Sequence, residues 1–168
     1  MAAFQILKRF NFWRKAHNRH GVHSPFIYSF LDEGLYRWDL KGLPPQKRLL
    51  LAAADHFKPA AAGTCDMPSP MAAWLQTQRP DLPWESTPTE LLICDSPGKN
   101  LIDFIESRDS WGNDTVVFVG NLRKNQGTYA RWSQAAGHPA VRVILETFPA
   151  GLLFFRTRQA RQHFRIRI

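Results

Sequence analysis

The chain has 168 residues, 44% hydrophobic and 21% charged, which suits one ordinary domain with its own core and excludes a disordered tail or a membrane bundle. The formal charge of +8 belongs to the ends: residues 1–31 and 147–168 each hold five basic and no acidic residues, which leaves 12 basic against 14 acidic residues, a net of −2, in between. The longest aliphatic run, Leu49 to Ala54, has six residues where a bilayer span needs roughly 20, and Lys8 and Arg9 come too early for a secretory core. A soluble, cytoplasmic protein with no membrane span is expected.

Phe4 to Lys15 reads as a helix. Phe4, Leu7, Phe10 and Trp13 recur every three positions with basic residues between them. A membrane-surface helix calls for a cleaner division of faces, so core or partner packing is the expected use of these aromatics. Ser24-Pro25 supplies an N-cap and first position for a second helix that carries Phe26, Ile27, Phe30 and Leu31 and stops at Gly34. Leu43-Pro44-Pro45 breaks the chain, and a third helix over 46–57 ends before Pro59.

Beyond residue 58 short apolar runs alternate with turn and helix signals, the pattern of a largely parallel α/β sheet. The predicted strands are 60–64, 91–94, 115–119, 141–146 and 152–155, with helices begun by Ser69-Pro70, running through Leu101, Ile102 and Ile105, and spanning 128–136. The last two strands are joined only by Phe148-Pro149-Ala150-Gly151 and must be antiparallel. Cys65 and Cys94 stand 29 positions apart with no CxxC pattern and are expected as reduced thiols on neighbouring strands.

The segment Arg19-His20-Gly21-Val22-His23-Ser24-Pro25-Phe26, together with Gly151-Leu152-Leu153-Phe154-Phe155-Arg156 and Gln159-Ala160-Arg161-Gln162-His163-Phe164, resembles the two ends of a group of bacterial class I S-adenosylmethionine-dependent methyltransferases. The resemblance covers about half the chain. It implies a Rossmann-like sheet whose first strand and glycine-rich turn cradle the methionine part of S-adenosylmethionine, because glycine lets backbone approach a ligand where a Cβ would collide. The family's first strand reads acid, one residue, glycine, with a second glycine four positions on. Here Gly63 matches and, with Thr64 after it, is a candidate for cofactor binding, but Ala61 stands in the acid's place and Met67 in the second glycine's.

Length points the same way. The family places two strands and a helix between the first helix of the sheet and the fourth strand, and a βαβ unit needs about 30 residues. Arg79 to Thr89, with Pro80, Pro83 and Pro88, leaves no room for them. The expected fold is therefore α/β: a helical segment over 1–57 packed on a reduced, methyltransferase-like sheet domain over 58–168. Strands two and three are absent, the sheet order is one, four, five, seven, six, and the chain closes on an antiparallel pair. The edge so exposed is a candidate surface for a homodimer.

The candidate catalytic pair is Asp95, directly after the strand at 91–94, and Asn121, after the strand at 115–119. The preferred reading of Asp95-Ser96-Pro97-Gly98 is nevertheless a turn with a helix cap. The resemblance places His20, His23 and Ser24 at the start of the second helix or at the cofactor mouth, beside Gly63 and Thr64. No metal site is expected, since one carboxylate and one amide rarely hold magnesium. Neither a nucleophile elbow nor a P-loop is present. The expectation is a methyltransferase-like pseudoenzyme with impaired binding of S-adenosylmethionine. The alternatives are an active methyltransferase of unknown acceptor and a basic module whose Arg-rich ends hold an anionic partner such as nucleic acid.

Overall fold

A computed structural model describes residues 2–18, 21–84, 89–107 and 111–168. Arg19, His20 and Pro88, all invoked above, lie outside these residues, as does the side chain of Phe4. The chain begins with helix α1 (Ala2–Lys15), then α2 (Pro25–Ser29), a π-helical turn (Phe30–Leu35), a 3-10 turn (Trp38–Leu40) and α3 (Pro45–Phe57). Pro44-Pro45 starts α3. It ends where Lys58 turns left-handed (φ 47°) and Pro59 prevents continuation. The remainder is β1 (Ala62–Thr64), α4 (Pro70–Gln78), β2 (Leu91–Cys94), α5 (Lys99–Glu106), β3 (Val116–Val119), α6 (Gln126–Gly137), β4 (Val143–Glu146), β5 (Gly151–Phe154) and β6 (Gln162–Arg165).

The strands form one mixed sheet in the order β1-β2-β3-β5-β4-β6, with β5 antiparallel to both its neighbours and every other pair parallel. The order of the first five is the one expected. The sixth strand was not foreseen: the chain closes not on the antiparallel pair but on Gln162 to Arg165, which run parallel to Val143 to Glu146. Beyond it, the His17 N–H donates to the Arg165 carbonyl (2.7 Å) and the Arg167 N–H to the His17 carbonyl (3.1 Å). The two basic ends of the chain are thereby joined along one edge.

Both faces of the sheet are covered, which is why β2 to β5 are apolar at consecutive rather than alternate positions. Leu91, Ile93, Val116, Phe118 and Phe154 pack beneath α2, the π-helical turn, α3 and α4. Leu92, Cys94, Val117, Val119 and Leu153 pack beneath α5 and α6, with Trp132 fully buried. α6 is started by a capping box between Asn125 and Thr128, and α4 by the Ser69 hydroxyl accepting from the Ala72 N–H (3.1 Å).

The path between β1 and β2 positions the site. α4 delivers the chain to the outer edge of β1, where the Ala62 N–H donates to the Pro83 carbonyl (2.9 Å) and Trp84 forms a single parallel bridge with Ala62. Among the described residues nothing more strand-like follows before β2. α4 therefore moves away from β2 on one face, while α5 moves toward β3 on the other.

Two expectations are corrected. Cys65 and Cys94 are joined by a disulfide, with Cα atoms 5.0 Å apart, because the parallel pairing of β1 with β2 brings the residue after Thr64 beside the last residue of β2. On α1, among the side chains described, only Phe12 is buried; Leu7, Phe10 and Trp13 are exposed, so of the expected core or partner packing the core half is not met, because the helix lies on the rim of the sheet and offers one narrow face to it.

Candidate functional site

At the carboxyl ends of β2 and β3 lies a crevice of about 520 Å³, roofed by α1 and walled chiefly by Phe12, Trp13, Met71, Asp95, Asn121 and Phe148. Its position follows from the parallel strands, whose following loops diverge toward opposite faces and leave a gap between them. The two residues chosen as catalytic are thus brought to one cavity. Their bonds are already committed. The Asn121 side-chain amide donates to the Asp95 carbonyl (2.8 Å), its oxygen accepts from the Gln46 amide (3.1 Å), and its backbone N–H donates to the Gln46 Oε1 (3.2 Å). Asn121 sits at φ 50°, a left-handed conformation that asparagine tolerates.

Asp95 Oδ1 accepts from the Met71 N–H (2.9 Å), in the first turn of α4. The expected helix cap is real but serves α4; α5 is begun by Gly98 without a side-chain cap. The other oxygen, Oδ2, is buried without a hydrogen-bond partner. Gly120 makes this packing feasible: a Cβ there would lie 2.7 Å from Gln46 Oε1 and 2.9 Å from the Asp95 carbonyl oxygen. The pair joins α3, α4, β2 and β3, and it offers no proton relay.

A second constellation escaped the sequence reading. Glu146, at the end of β4, is fully buried; it is ion-paired with Arg123, hydrogen-bonded to His163 Nε2 (2.7 Å) and 3.7 Å from Arg165 Nε. Burial pushes its carboxyl up, but the His163 hydrogen bond and the Arg123 charge outweigh that and hold it below its ordinary value. The Arg123 guanidinium also stacks over Tyr129 (4.5 Å), Phe12 (4.7 Å) and Phe148 (5.1 Å), so one buried cation locks α1 against the sheet. Beside it Lys8, Asn11, Lys15, Arg123, Tyr129 and Arg165 enclose a smaller cavity of about 240 Å³. A lone acid closing an apolar strand was the available signal; its partners, 17 and 23 positions away, could not be read from spacing.

The predicted cofactor residues do not converge. Gly63 and Thr64 lie within β1, and neither borders the crevice. His23 is exposed, and Ser24 borders a different cavity of about 540 Å³ with Asn113, Asp114 and Arg156. That cavity sits at the opposite end of the sheet, where β3 begins and β5 ends. The β1 turn is occupied by its own contacts. Buried Ala61 supplies no carboxylate, and the Thr64 hydroxyl is spent on the Asp66 carbonyl (3.0 Å). The Asn100 amide pins the turn through the Cys65 carbonyl (3.2 Å) and Asp66 Oδ1 (2.6 Å), while the disulfide ties it to β2.

Among the described residues no group of three or more His, Cys, Asp or Glu is placed to hold a metal ion, and no helix is long and apolar enough to cross a membrane. Comparison with protein-family models, curated proteins and solved structures returns no match.

Proposed function

We propose that the chain is a methyltransferase-like protein that has lost its grip on S-adenosylmethionine and acts as a binding protein rather than a methyl-transfer catalyst. The reading rests on one observation: the turn after β1 is closed on itself by Thr64, Asn100 and the Cys65–Cys94 bond, where a cradle for a methionine moiety would have to be open. Among the described residues the segment outside β1 makes one bridge, Trp84 to Ala62, which supports it, since an acid gripping ribose hydroxyls needs a full strand there to carry it. What the fold offers a ligand is the neighbouring crevice, whose apolar walls and few fixed polar groups are those of a small-molecule site.

Calorimetric titration with S-adenosylmethionine tests the reading. No saturable heat is expected. Saturable binding in the micromolar range would restore a methyl-transfer activity with Asp95 and Asn121 beside the acceptor, and would end the binding-protein reading.

A further inference from the structure

From the exposed face of α1 we infer a docking surface for an anionic lipid bilayer, independent of whether the crevice or any cofactor site is competent. At 100° per residue, Trp13, Ile6, Phe10 and Leu7 fall within an arc of roughly 120° that also holds the exposed Arg14 between Phe10 and Leu7, and Phe12, the helix's anchor to the core, lies roughly opposite its centre. The four are 48%, 66%, 65% and 62% exposed. The described members of the period-three stripe, Leu7, Phe10 and Trp13, all turn to solvent, while the buried Phe12 stands outside it. Outward apolar area of this extent on a helix already docked by its other side marks an interaction surface.

Charge identifies the occupant. Arg9, Arg14 and Lys15 are exposed along the same helix, Arg167 stacks on Trp13 (5.6 Å), and Arg165 follows along the joined edge. There is no acid in the first 31 residues. A second copy applied to this face would set arginine against arginine. A nucleic acid would engage the cations but leave the apolar arc in water. An anionic bilayer satisfies both: the arc enters the boundary between headgroups and acyl chains while the basic side chains reach the phosphates.

Flotation of the full chain with phosphatidylcholine vesicles, and with vesicles of equal parts phosphatidylcholine and phosphatidylglycerol, tests this. Binding to the mixed vesicles is expected, weakening as salt is raised, and Trp13 fluorescence should shift to the blue on binding. Phe10→Glu should lower the affinity about tenfold or more while thermal unfolding in solution is unchanged, since Phe10 packs on nothing in the core. Trp13→Phe should keep binding and lose the blue shift. The inference is overturned if the mixed vesicles are not bound or if Phe10→Glu binds them as well as the parent chain. It is equally overturned if a single-stranded oligonucleotide is bound more tightly than vesicles and Phe10→Glu leaves that preference intact, or if the chain is a dimer that Phe10→Glu dissolves.

Discussion

Glu146 has no solvent exposure, and the Arg123 that faces it is itself nearly enclosed. Removing one member of such a pair strands the other charge away from water, so Glu146→Gln should cost about 3–5 kcal/mol in urea unfolding. The sign of the acid dependence follows from the lowered carboxyl. Between its native value and the ordinary one near 4.5 the unfolded chain binds more protons than the folded one, so the contribution is complete above that range and is lost as pH falls through the native value. Unfolding followed from neutral to acid pH should therefore show a shallower loss in the variant than in the parent chain. Asp95 teaches a different lesson. Its position after an apolar strand was legible, but its task was not, because the Met71 N–H that occupies it comes from a helix 24 residues earlier.

Elements with strong local signals were read correctly: β2 and β3 from unbroken apolar runs, α4 from Ser69-Pro70, α3 from its flanking prolines. β6 failed that test. Gln162-His163-Phe164-Arg165 has no apolar run, and its strand character comes from the β4 edge and from His17 beyond it. α1 was read as a helix, but which of its residues meets the core was not legible: Phe12, outside the period-three stripe, is buried, while Leu7, Phe10 and Trp13 are exposed. The disulfide belongs to this scale as well. It closes a span of 29 positions across the β1–α4–β2 unit, and loop-closure entropy makes it worth about 3–4 kcal/mol. Thiol labelling of the unreduced chain should find no reactive cysteine, and dithiothreitol should lower the unfolding free energy by that amount. Full labelling without reductant would return both residues to the thiol form.

At the scale of the molecule, the sheet order was legible because short links and parallel crossovers leave few alternatives. The joining of the two basic ends was not, since the bonds between His17 and residues 165 and 167 span most of the chain. Those bonds make α1 and the carboxyl-terminal segment a common roof over the crevice, beside β2 and β3 and bordered by none of residues 63–66. The molecule thus keeps a cavity at the carboxyl ends of its strands while the neighbouring turn, where the resemblance places a cofactor, is filled by its own hydrogen bonds. The most direct test is an amide proton–nitrogen spectrum of the labelled chain titrated with S-adenosylmethionine. The account predicts that the amides of Gly63, Thr64, Cys65 and Asp66 stay in place; saturable shifts centred on those four would contradict it.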